Sequence, residues 1–391
     1  MITVFERNMM TVPNGHLTTI ERALTKLAPS TKFKFIVSGS KTPNDLSETD
    51  QKWPIISTIK EIKRDQLSSY ERDYQNLLRY LDAIEAGPSA PILFPSAELL
   101  DVQFVVKYIA QFEGRFKFYL RILIPSSIKF LAASEKDILR NSIRDGNIVL
   151  LTETDSLTHA LNTDEGYANV QTLLLPCTFS SDDFYDDDEH IEKPQHLFRI
   201  GHMGSIRKDK GFTNVPAILS ALSKDLRKQQ PDYRVEYKLG TIWQKIHKPW
   251  VLKFETSLLV RSFINKIKGV ALDLVRLPIM HNLSDFASLF DRVDIIILPY
   301  DQERYLNSGS GIIIDAVMRG KPIVYMKGMG MAEFLHCENA EPAVAPDEFA
   351  QKLVIVMRNF EQYSHGARDA RKKLQQRLKQ SSELLRQIDQ M

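Results

Sequence analysis

Short apolar runs alternate with longer stretches of helical spacing along most of this chain, and that alternation constrains the fold more than any other feature. Strands buried on both faces read as continuous apolar runs, and the segments between them must cross back over the sheet. The pattern therefore predicts parallel β/α units and an α/β fold. In the first half it places strands at Ile2–Phe5, Phe33–Val37, Pro91–Phe94, Phe118–Ile124, Ile148–Leu151 and Val170–Leu175. Helices are predicted around 17–28, 66–85, 98–112, 134–143 and 155–162, the last capped by Thr154 or Asp155.

The alternation lapses at residues 178–197, where Ser180, Ser181, Asp182, Asp183, Asp186, Asp187, Asp188 and Glu189 crowd together ahead of Pro194. The Asp186-x-Asp188 spacing formally matches a metal-binding carboxylate pair. Such a pair must end a buried strand to hold a cation rigidly, and no apolar run of strand length leads into this one, so the stretch reads as a solvated acidic linker. A second series follows, with strands at His196–Met203, Arg234–Leu239, Ala271–Leu277, Val293–Leu298 and Pro322–Tyr325 and a helix from about Asn214. At 391 residues the chain exceeds a single core. The expected division is an N-terminal domain over 1–177, a linker over 178–197, a C-terminal domain over 198–365 and a C-terminal helix over 366–391. That helix carries Arg368, Arg371, Lys372, Lys373, Arg377 and Lys379. They read as a solvated face, with a surface for anionic lipid as the alternative.

Composition narrows the function classes. A net charge of +2 makes no case for nucleic acid. Two cysteines far apart, Cys177 and Cys337, exclude a disulfide framework and a cysteine-rich zinc site and suit a reducing cytoplasm. The N-terminus lacks a signal-peptide pattern, and no apolar stretch approaches the ~20 residues of a membrane span. The expectation is a cytoplasmic protein, at most peripheral at the inner face of a membrane.

Two loops at the C-terminal ends of predicted strands concentrate the chemistry, and open α/β sheets bind ligands at such ends. The first runs Gly201-His202-Met203-Gly204-Ser205-Ile206-Arg207-Lys208-Asp209-Lys210-Gly211. It offers sharp turns and cations, which a diphosphate requires, but not the glycine spacing of a dinucleotide fingerprint. The second is Asn307-Ser308-Gly309-Ser310-Gly311, which opens a helix through Asp315. Its amide groups at the positive end of the helix dipole make an anion site. Asp315, eight residues after Asn307, is expected two turns into that helix and on a similar side. Arg319-Gly320-Lys321-Pro322 then stops the helix before the next strand.

This order resembles the retaining GT-B glycosyltransferases of family four, whose signature is a strand ending in Pro-Ser, then Glu, seven residues, Glu-Ala, and Gly-Lys-Pro. Here Pro299-Tyr300 stands at the strand end, Asn307 on the first glutamate, Asp315-Ala316 on Glu-Ala, and Gly320-Lys321-Pro322 matches outright. Gly204, Ser205, Ile206, Lys210 and Gly211 fall on the family's Gly-Arg-Leu…Lys-Gly motif. Val235–Gly240, Asp285–Phe290 and Val293-Asp294-Ile295 fit as well, and the likeness covers roughly 198–345. It implies a GT-B architecture, two Rossmann-like domains facing a central cleft, with the donor in the C-terminal domain.

The same resemblance implies a nucleoside diphosphate sugar as donor, UDP-sugar ahead of GDP-sugar, used without a metal ion or other cofactor. Asp315 would hold the ribose and Asn307 would touch the sugar. Gly15, Gly204, Ser205, Arg207, Lys210, Gly240, Ser308, Gly309, Ser310 and Gly311 would complete the donor site, Arg207 substituting for the arginine missing at Ser205. Pro125-Ser126-Ser127 stand where many members place a histidine near the transferred sugar, which leaves His16 as the candidate for that role. The implied partners are the sugar nucleotide, a glycan or glycolipid acceptor, and a sister transferase or a second copy of the chain. Competing readings are an epimerase or inverting transferase on the same fold, and a non-catalytic partner subunit, which Asn307 and Ser205 make credible.

Overall fold

The structure is a computed structural model of the 391-residue chain. It describes residues 1–6, 16–38, 52–53, 81, 90–112, 115–163, 165–176, 197–203, 208–230, 232–239, 272–276 and 288–390, with backbone alone at 16–18, 36–38, 52–53, 239 and 272–276. The helix expected at 66–85 apart from Leu81, the acidic linker with Asp186 and Asp188, and Gly15, Gly204, Ser205, Arg207 and Gly240 lie outside these residues. His16 lies within them as backbone only. The chain divides into two compact units, Met1–Phe179 with Arg377–Met391, and Ser180–Gln376.

The first unit is built on a seven-stranded sheet of β1 (Ile2–Glu6), β2 (Phe33–Ser38), β3 (Lys52–Trp53), β4 (Ala90–Ala97), β5 (Phe116–Ile122), β6 (Ile148–Thr152) and β7 (Gln171–Thr172). Their order is β3-β2-β1-β4-β5-β6-β7 and every pairing is parallel. Helices α1 (His16–Leu27), α2 (Leu99–Gln111), α3 (Ser126–Lys129), α4 (Ala133–Arg144) and α5 (Asp155–Thr163) belong to the same unit. Ile92, Leu93, Phe94, Phe118 and Leu120 are all at most 2% exposed, which is why these strands read as predominantly apolar runs.

Pro95 lies inside β4, where it cannot donate to the ladder, and the register slips between Phe94 and Ala97. The buried Arg121 guanidinium covers the irregularity. It donates to the Pro95 carbonyl at 2.9 Å and the Leu173 carbonyl at 2.8 Å, and pairs with Glu153 at 3.1 Å. Thr154 caps α5 by accepting the Leu157 amide at 3.1 Å, as its sequence position anticipates. The strand expected over Val170–Leu175 shortens to Gln171–Thr172, because the Leu174 amide donates to Ser381 in the C-terminal segment at 3.0 Å instead of extending the ladder.

The second unit carries a six-stranded, all-parallel sheet of β8 (Leu197–His202), β9 (Arg234–Leu239), β10 (Leu272–Arg276), β11 (Ile295–Leu298), β12 (Ile323–Met326) and β13 (Ala340–Ala343), in the order β10-β9-β8-β11-β12-β13. Its helices are α6 (Val215–Gln229), α7 (Gln302–Tyr305), α8 (Gly311–Met318), α9 (Pro346–Arg358) and the start of α10 (Phe360–Gln390). The expectation of an α/β fold with parallel sheets holds for both units.

β13 escapes sequence reading. Its Ala-Glu-Pro-Ala run lacks an apolar signature, and Pro342 is tolerated because the strand lies at the sheet edge. The C-terminal helix begins at Phe360 and runs unbroken to Gln390. Its buried positions Leu374, Leu378, Ser381, Leu385 and Ile388 recur at helical spacing, so the basic residues between them occupy only part of its circumference. Arg377 is half-buried and pairs with Asp155 in the first unit.

Candidate functional site

Strand order in the second sheet reverses between β8 and β11, which lie side by side although helix α6 and two strands separate them in sequence. Such a switch point leaves a crevice at the C-terminal strand ends. The chain leaving β8 forms a 3₁₀ turn over Lys208–Lys210, then Gly211 and a second turn over Phe212–Asn214. The chain leaving β11 passes through Pro299 and Tyr300 into α7, then residues 306–310, then α8. These are the two loops singled out in the sequence.

They are stitched together. The Asp301 amide donates to the Asp209 carbonyl at 2.9 Å. The Asp209 carboxylate pairs with Arg304 at 3.0 Å and accepts the Tyr305 hydroxyl at 3.4 Å. Lys210 places its Nζ 5.4 Å from the centre of the Tyr300 ring, which packs in turn against Tyr305 at 4.6 Å in a tilted arrangement. Gly211 has φ +69°, and a Cβ there would fall 1.5 Å from the Pro299 carbonyl oxygen. Only glycine permits both that backbone and that approach.

A third segment underlies the second loop. After β12 the chain reads Gly328-Met329-Gly330-Met331, and the Gly330 amide donates to the Tyr305 carbonyl at 2.7 Å. A Cβ on Gly330 would fall 2.5 Å from the Ser308 carbonyl oxygen. Met331, itself at φ +63°, offers its sulfur to the Ser310 amide at 3.4 Å. One of the amides expected to face an anion therefore turns to a thioether instead. Ile313 donates to the Ser310 carbonyl at 2.9 Å, which leaves the Gly311 and Ile312 end of α8 as the dipole's positive terminus.

Ser308, Ser310 and Asp315 are buried, and Asn307 and Gly309 are half-buried. Asp315 is 2% exposed on a helix whose residues from Ile312 to Met318 are all buried, so it is no surface carboxylate. The two helical turns expected between Asn307 and Asp315 are not there. The helix starts only at Gly311, Asp315 is little more than one turn in, and Asn307 lies in irregular chain.

His202 ends β8 at 1% exposure, against the Phe212 ring at 4.8 Å. Its Nε2 lies 3.1 Å from the Lys210 carbonyl oxygen and its Nδ1 3.5 Å from the Tyr237 hydroxyl. A carbonyl only accepts, so the network assigns the proton to Nε2, and the bare Nδ1 accepts from Tyr237. Burial first, and then the Lys210 charge, pull this imidazole down to about 3 against the opposing carbonyl contact, which keeps it neutral. Sequence reasoning passed over His202, Asp209, Arg304 and the Gly328–Met331 segment. The only signal was the Gly-x-Gly pattern after an apolar strand. Among the described residues, no group of three or more His, Cys, Asp or Glu is placed to hold a metal ion, and no helix is long and apolar enough to cross a membrane.

No family model and no curated protein sequence matches the chain. Solved structures match along its whole length. The structure described as trehalose-6-phosphate from E. coli bound with UDP-2-fluoro glucose aligns at TM-score 0.66 and 12% identity, over 100% of this chain and 99% of that one. Anabaena HepE in complex with UDP aligns at 0.63 and 14%, over 100% and 98%. WaaG, a glycosyltransferase involved in lipopolysaccharide biosynthesis, aligns at 0.61 and 12%, over 98% and 99%. The chain has the GT-B fold. Likeness at such identities establishes the architecture and leaves the activity to be argued from the site. Within the GT-B frame, the β8/β11 switch point belongs to the C-terminal sheet, where the sequence resemblance puts the donor.

Proposed function

We propose that this chain is a glycosyltransferase that moves a sugar from a nucleoside diphosphate sugar to a hydroxyl of a glycan or lipid-linked acceptor. The observation that carries this reading is the pair of interlocked loops at the switch point. They present Lys210 and the positive end of α8 from adjacent strand ends, with the buried Asp315 on that same helix. The GT-B neighbours captured with UDP or a UDP-sugar analogue support a nucleotide sugar as donor.

In the reaction the anomeric C–O bond to the diphosphate breaks and a bond to the acceptor oxygen forms. The acceptor's proton ends on the released diphosphate or on solvent. Negative charge grows on the leaving oxygen, and a fixed cation with helix-terminal amides lowers its energy without reorganising. On this reading Lys210 supplies that cation, joined by Arg207, and no metal ion takes part. Asp315 accepts the ribose hydroxyls and Asn307 orients the sugar. UDP is preferred to GDP, and anomeric configuration is retained.

Calorimetry of UDP against the chain in EDTA tests the site, and nucleotide release from a panel of sugar nucleotides, with glycan and glycolipid acceptors present, tests the activity. UDP should bind below millimolar concentration, and at least one UDP-sugar should be turned over. Absence of UDP binding, or binding only with added manganese, contradicts the proposal. Binding without turnover of any donor favours the partner-subunit reading that Asn307 motivates.

A further inference from the structure

We propose that His202 is a positioning residue for the donor diphosphate, setting the place of Lys210 through the main chain without touching the ligand. The inference rests on the reading of Lys210 as the diphosphate cation and goes beyond it.

A lone buried histidine is ordinarily a packed core residue, and three observations set this one apart. Both ring nitrogens are engaged with different elements, Nδ1 with Tyr237 on β9 and Nε2 with the turn after β8. The group held at Nε2 is the carbonyl of Lys210 itself, so the bond fixes the backbone from which that cation projects. The Phe212 ring flanks the imidazole just past the turn in a tilted contact, so ring packing and hydrogen bonding fix one ring plane. Lys210 is thus pinned at both ends, its carbonyl by His202 and its ammonium over Tyr300. A long, flexible side chain gains most from such anchoring, because the order needed to meet a phosphate is established before the ligand arrives. The imidazole stays neutral, so it adds no charge of its own to the site and acts by geometry alone.

The test is a double-mutant cycle on UDP affinity, measured by calorimetry with the full chain. Lys210→Ala should weaken UDP binding, and His202→Leu should weaken it about tenfold, the cost of a misplaced charged contact. On the Lys210→Ala background, His202→Leu should cost nothing more. His202→Gln, whose amide keeps a donor near the Nε2 position, should recover most of the wild-type affinity and keeps the test available if His202→Leu fails to fold.

A His202→Leu or His202→Gln loss that persists in full without Lys210 makes the residue merely structural and overturns the proposal. So does UDP binding that is unmoved by His202→Leu while Lys210→Ala weakens it; in that case the donor-site reading survives. Wild-type protein that binds no UDP removes the donor-site reading and this inference together.

Discussion

Asp315 shows what a single side chain contributes here and what its letter conceals. A carboxylate at 2% exposure on an otherwise apolar helix is costly to bury unless polar partners meet it. On the proposed reading it holds the ribose in ground and transition states alike. Asp315→Ala should therefore raise the donor KM by roughly ten- to a hundredfold with kcat little changed, as loss of a charge-assisted bond does. Asn307→Ala should lower kcat instead, because its contact lies beside the bond that breaks. Steady-state kinetics with the preferred donor separates the two, and a kcat loss in Asp315→Ala would reassign that residue. The identity of Asp315 was legible in the sequence, but its burial was not, since a helix apolar on every side has no polar face to locate. His202 was illegible for a different reason: a single histidine carries no spacing, and its partners at Lys210 and Tyr237 meet only when two strands pair.

The strands were read well wherever burial on both faces forced a continuous apolar run, as in β4, β5 and β11. Reading failed where the sheet edge relaxed that demand. β13 reaches the sheet with Pro342 in it, and β7 is two residues long because its continuation bonds to Ser381. Close packing of elements was equally hidden, since a glycine in a helix looks only like a weak point. Gly366 in α10 is such a case. A Cβ there would fall 2.1 Å from the Cys337 carbonyl oxygen and 2.5 Å from the Glu338 carbonyl carbon, so the helix packs directly on the backbone leading into β13. Gly366→Ala improves helix propensity yet should destabilise the chain by about 1–3 kcal/mol, as overpacking does. Urea denaturation gives the sign, and a gain in stability would mean that the loop yields without cost.

Residues 377–391 belong with the first unit although they end the sequence. Ser381 accepts the Leu174 amide, Ser382 donates to the Leu27 carbonyl, Arg377 pairs with Asp155, and Asp389 receives the amino terminus of Met1 at 2.6 Å. The sequence announced a helix with a solvated basic face but not where it docks, because basic residues on one face do not say what covers the rest. Ending the chain after Gln376 should strip hydrogen-exchange protection from the Leu174 amide while leaving the β11–β12 ladder protected. Unchanged protection at Leu174 would show that this segment is dispensable to the first unit. There is a consequence for the order of synthesis. Chains emerge from the ribosome amino end first, and domains ordinarily fold in that sequence. Here the first unit lacks part of its own structure until all of the second has been translated, so of the two the one begun earlier is completed later.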